Sequence, residues 1–91
     1  MRYEPRLGAA QEVATGAASA ASAPFGAQTR RIRVAATAAC RIAIGDGTPV
    51  ATATSAYLPA DRAEYLEVTP GQRIAAIQES AAGKLSVVEI A

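Results

Sequence analysis

The 91-residue chain has no histidine and no tryptophan, one cysteine, and aromatic residues at only 4%. Without histidine, a Ser-His-Asp or Cys-His arrangement has no general base, so nucleophilic catalysis of those types is excluded. A zinc site, which draws on His and grouped Cys, has almost nothing to be built from. A single cysteine cannot form an intramolecular disulfide. It is compatible with the cytosol and shows no export framework. No apolar run approaches the ~20 residues of a membrane-spanning helix. Charge of one sign is also missing: nine basic and eight acidic residues leave a net +1. Such a balance offers no field for DNA, RNA or an anionic membrane.

Other sites fail on spacing. Glu64 and Glu67 lie in a predicted strand at a separation that puts them on opposite faces, so they do not form a glycosidase pair. Gly45-Asp46-Gly47-Thr48-Pro49 is turn chemistry. It lacks the lysine and the spacing of a phosphate loop, and no acidic cluster surrounds Asp46 to hold a metal. Ala18-Ser19-Ala20 and Ala21-Ser22-Ala23 look like signal-peptide cleavage sites. Glu12, Thr15 and Gly16 interrupt the stretch before them, and it has no Leu/Ile/Val-rich core, so no signal peptide is expected. No catalytic residue, metal or cofactor is expected, and the chain does not read as an enzyme.

What is present is strand chemistry. Hydrophobic residues make up 51%, much of it alanine, which buries little area per residue. The lean core this implies suggests association with copies of itself or with a larger partner. Residues 28–36 alternate, with Arg31 and Arg33 on one face and Ile32, Val34 and Ala36 on the other. Residues 40–44 place Cys40, Ile42 and Ile44 inward, so Cys40 reads as a small core residue. Residues 50–56 read as a weak or edge strand and 57–60 as a short extended piece. Residues 63–77 read as a hairpin around Thr69-Pro70-Gly71-Gln72, whose Pro and Gly fit the second and third positions of a type II turn. Residues 84–90 form the last strand, in which Val87-Val88 blurs the phase. Phe25, between Pro24 and Gly26, is expected to plug one end of the core. About six to eight short strands punctuated by turns predict an all-β fold, a small antiparallel β-sandwich or jelly-roll-like barrel. The predicted core is Ile32, Val34, Cys40, Ile42, Ile44, Leu58, Leu66, Val68, Ile74, Ile77, Leu85 and Val88. That sandwich domain is expected over 24–91. Residues 1–23 are expected to be an extended N-terminal arm and small-residue linker, with at most a short strand around Glu12-Val13-Ala14-Thr15.

Several segments together resemble small virion proteins encoded in the head-gene region of tailed bacteriophages. They are Gln28-Thr29-Arg30-Arg31-Ile32-Arg33-Val34, Ala39-Cys40-Arg41-Ile42-Ala43-Ile44-Gly45, 51–60, 64–75, and Gly83-Lys84-Leu85-Ser86-Val87-Val88-Glu89. The pattern is that of a β-sandwich framework and brings no catalytic motif with it. The resemblance implies a structural role on the phage particle, most directly capsid decoration (cement). A head-spike or head–tail joining component is the alternative, and so is a carbohydrate- or receptor-binding β module. It implies the major capsid protein and neighbouring copies of this chain as partners. It also implies a place on the phage head surface after synthesis in the host cytoplasm. Candidate capsid contacts are Arg2, Tyr3 and Arg6 on the arm, which would lie on a neighbouring subunit, and Arg30, Arg31 and Arg33. The plainer reading of the arginine strand is a solvated face; the other readings are a protein-contact surface and a nucleic-acid stripe.

Overall fold

A computed structural model describes residues 7–90, with side chains from Ala10 onward. Its strands are β1 (Leu7–Thr15), β2 (Ala20–Ala21), β3 (Arg31–Ala36), β4 (Cys40–Gly45), β5 (Ala56–Leu58), β6 (Ala63–Glu67), β7 (Arg73–Gln78) and β8 (Gly83–Ile90). No helix occurs among the described residues. Sheet I has the order β1-β8-β3-β6 and sheet II the order β2-β7-β4-β5. Every ladder is antiparallel.

The pairings are nested. β4 pairs with β5, β3 with β6, β2 with β7, and β1 with β8. Two further ladders, β3–β8 and β4–β7, join these pairs into the two sheets. A two-stranded ribbon wound in this way is a jelly roll, so the expected β-sandwich takes that topology. Every connection except β4–β5 carries the chain from one sheet to the other.

The core lies between the sheets. Sheet I contributes Ile32 opposite Leu66, Val34 opposite Val87, and Leu85 opposite Val13. Sheet II contributes Ile44 opposite Ile74, Ile42 opposite Ala76, and Cys40 opposite Leu58. Ile32, Leu58, Ile74 and Leu85 are fully buried. Burying such a side chain is worth about 1.5–3 kcal/mol relative to exposure, far more than an alanine contributes. Phe25 closes one end as expected, 3% exposed within the same cluster. Its backbone is fixed there: its N–H donates to the Gln72 carbonyl and its own carbonyl accepts from Gly71 N–H, at 2.8 and 3.2 Å.

Four expectations change. The first is the arm. Within the described residues, 7–23 belong to the sandwich: β1 pairs with β8 from Ala10↔Val88 through Thr15↔Gly83, and Val13 is a core residue. One face of β1 needs only Val13 and Thr15 inward, so a segment poor in large apolar residues still forms a strand once β8 supplies its backbone partners. The short strand expected around Glu12-Val13-Ala14-Thr15 is the end of this longer one. Arg2, Tyr3 and Arg6 lie outside the described residues.

The second is the hairpin. β6 and β7 never pair; they lie in different sheets. The turn itself is present, with Gln72 N–H donating to the Thr69 carbonyl and Gly71 at φ 85°. A turn of this type splays its strands instead of matching their twist, so here it makes an arch over the end of the core. The third is the weak strand expected over 50–56: residues 50–55 form a loop, and only Ala56 is in a strand, as the first residue of β5. Thr52 N–H bonds Ser55 Oγ and Ser55 N–H bonds the Thr52 carbonyl, at 2.9 and 3.0 Å, so the local hydroxyls turn the chain. The fourth is Ile77 and Val88, which face outward and are half-buried, while Val13 and Val87 take core positions.

Candidate partner-binding surface

The outward face of sheet I is organised in cross-strand rows. Arg31 stands between Ile90 and Glu67, Arg33 between Val88 and Tyr65, and Ala35 between Ser86 and Ala63. Alternation along β3 drives this: burying Ile32, Val34 and Ala36 forces Arg31, Arg33 and Ala35 out. Tyr65, 58% exposed, lies on the edge strand β6 beside Arg33. Arg30 is exposed just ahead of β3, where its carbonyl accepts Val68 N–H at 2.9 Å. The structure thus joins two of the expected arginines on one face, with the third at its border.

Beside this row is an open depression of about 340 Å³. Its floor is Ser86, Ala35 and Ala63, one row across β8, β3 and β6. Arg33 forms one wall. Lys84, Thr37, Asp61 and Arg62 form the other, and Glu12 on β1 closes one end. Lys84 Nζ lies 3.8 Å from Glu12 Oε1, and Thr37 Oγ1 accepts Lys84 N–H at 2.9 Å. Asp61 has φ 59°, a left-handed conformation that aspartate tolerates, and its N–H donates to the Ala36 carbonyl at 2.8 Å.

The outward face of sheet II is different, because a strap over 46–55 crosses it. The strap is tied at β2, where Ser19 Oγ accepts Ala51 N–H at 2.9 Å, and at β4, where Arg41 donates to the Ser55 carbonyl at 3.3 Å. Ala43, Ala75 and Ala21 form the outward row next to these ties, and Ala75 is fully buried there. Alanines let the strap lie close to the sheet. Arg41 also donates to Glu79 Oε1 at 2.9 Å and stacks over the Tyr57 ring at 4.9 Å. The Glu79 hydrogen bond raises the Arg41 pKa further, so its charge is permanent.

Cys40 is fully buried, and burial pushes its thiol pKa up, away from a nucleophilic thiolate. Among the described residues no three of His, Cys, Asp and Glu group as metal ligands. Glu89 faces the inner end of sheet I, where its carboxylate accepts Gly26 N–H and the Thr29 hydroxyl and so anchors the 26–29 turn.

No known protein family, curated protein or solved structure matches this chain.

Sequence reasoning did not single out Glu12, Asp61, Arg62, Lys84 or Ser86 as a group. They come from two strands and a loop that only the β1–β8–β3–β6 order brings together. The one local signal was outward parity in 84–90, which Val87-Val88 obscured.

Proposed function

We propose that this protein is a structural component of a tailed-phage head, a decoration (cement) protein that binds the assembled shell through the outward face of sheet I. The observation that carries the reading is the grouping of Arg31, Arg33 and exposed Tyr65 on adjacent rows of one rigid sheet face. Arginine and tyrosine are the side chains that contact surfaces favour. The jelly roll is compatible with it, since that architecture recurs in capsid proteins, though also in lectins and cupins, so the fold alone does not decide. Cupin-type metal chemistry has no histidine to use here.

The partners in this reading are the major capsid protein and neighbouring copies of this chain. Arg2, Tyr3 and Arg6 are further candidate contacts. A decoration protein stabilises a shell by binding its assembled form more tightly than its parts. A carbohydrate-binding module is the second reading, favoured by exposed Tyr57. Arg41 already occupies one face of that ring, which weakens it.

The test is co-sedimentation with purified heads lacking the protein, read as copies bound per shell. Lattice-wide saturation supports decoration. Saturation at a few vertex-sized positions moves the protein to a spike or head–tail role. Absence of binding removes the virion reading.

A further inference from the structure

The depression on sheet I differs from an ordinary solvated sheet face. Exposed strand positions favour β-branched or aromatic residues that cover the backbone. Here three consecutive strands present Ser86, Ala35 and Ala63 in one row, and taller charged residues stand on both sides. At a strand spacing of about 4.8 Å, the floor runs roughly 10 Å across the strands. It is closed by Glu12 at the β1 end and open at the edge strand β6.

Charge selects the occupant. The Glu12–Lys84 pair sits at the closed end and largely neutralises itself. Toward the open end the walls carry Arg33 and Arg62, with Asp61 the remaining carboxylate. Arg33 and Arg62 both line this small-residue floor, and a guanidinium matches a carboxylate, which it can hold in a two-point hydrogen bond. The self-neutralised Glu12–Lys84 pair offers a carboxylate no net attraction at the far end, so the acidic group is set near β6.

We propose that this trough is a docking groove for an extended acidic segment of a partner protein, with a Glu or Asp side chain of that segment held between Arg33 and Arg62. An extended chain rises about 3.3 Å per residue, so the floor takes about three residues. The assignment of the segment to the capsid rests on the decoration reading; the groove and its ligand chemistry do not.

The test uses isotope-labelled full-length protein titrated at low salt with hexaglutamate, with hexalysine and with inorganic phosphate, followed by backbone amide shifts. Hexaglutamate is expected to shift the amides of Thr37, Ala35, Ala63 and Ser86 saturably. Arg33→Glu with Arg62→Glu, and separately Ala63→Leu, are expected to weaken this by about tenfold or more, while Arg31→Glu changes it little. Arg62 and Ala63 are exposed and Arg33 is half-buried on the outward face, and retained shift dispersion reports that each variant folds. The inference is overturned if shifts are absent or spread over the surface, if charge reversal leaves them unchanged, or if phosphate reproduces them at equal concentration. Binding of hexalysine instead overturns it as well. The same variants on purified heads separate the two ideas. Wild-type attachment that survives charge reversal and the Ala63→Leu filling removes the groove and leaves decoration standing. Saturable hexaglutamate binding by a protein that never attaches to heads removes decoration and leaves the groove.

Discussion

Gly83 meets Ala38 so closely that a Cβ added to Gly83 would lie 2.9 Å from the Ala38 Cβ, with Thr37 Oγ1 at 2.8 Å and the Ala38 nitrogen at 3.1 Å. Thr37 cannot move aside without losing its bond to Lys84 N–H, and Thr37 N–H is itself bound to the Lys84 carbonyl at 2.9 Å. Gly83→Ala therefore overpacks the junction of β3 and β8. The expected loss is about 1–3 kcal/mol, read as a lower urea midpoint at unchanged slope. Wild-type stability would show that the turn yields freely.

Glu89 ties the 26–29 turn to β8 through Gly26 N–H and the Thr29 hydroxyl. Glu89→Ala leaves both donors without this acceptor and should cost about 1–3 kcal/mol. Glu89→Gln keeps one acceptor oxygen and should cost less. Equal losses in the two variants, measured by urea titration, would mean that packing and not the hydrogen bonds matters at this position.

Cys40 gives a pH dependence with a definite sign. Burial raises its pKa in the folded state above the ordinary 9.0, so the unfolded chain releases the thiol proton first as pH rises. Its contribution is fully present below about pH 9 and is lost as pH climbs from there through the folded-state value. Between pH 8 and pH 10 the wild type should lose more stability than Cys40→Ala. Identical losses would show that the thiol does not titrate differently on folding. In the native state Cys40 should also react with a thiol reagent only as fast as the sandwich opens.

Ser19 reaches the strap through one bond, to the N–H of Ala51, a residue only 2% exposed. Ser19→Ala leaves that N–H buried without its acceptor, at an expected cost of about 1–3 kcal/mol. Hydrogen exchange should accelerate at Ala51 and hardly change at Ile32. Unchanged exchange at Ala51 would mean that the strap is held from elsewhere.

The strands with strict alternation were legible. β3 carries Ile32 and Val34, and β4 carries Ile42 and Ile44, at alternate positions, and their inward faces match the expectation. Ile77 shows the limit: it was grouped with Ile74, but residues three apart on a strand face opposite ways, so only one of the two could enter the core. The Val87-Val88 doublet had no local tie-breaker, and its phase is fixed by Val34 opposite Val87. Tyr65 and Ile74 flank an excellent turn, and local chemistry suggested a hairpin because it cannot report which sheet each strand joins. The arginine face was visible because β3 alone makes it. The trough was not, because residues brought together by the β1–β8 and β3–β8 ladders leave no spacing signal in the chain.

The nesting of the strand pairs also orders the chain's own assembly. The strap spans the shortest gap between paired strands, so joining β4 to β5 closes the smallest loop and loses the least chain entropy. By the same argument, pairing outward from there, β3 with β6, then β2 with β7, then β1 with β8, closes the shortest remaining loop at each step. The fold closes like a zip drawn from its middle toward both ends. A chain emerging residue by residue leaves β1 waiting until β8 appears, and nearly all its contacts are distant in sequence, which places it among slow folders.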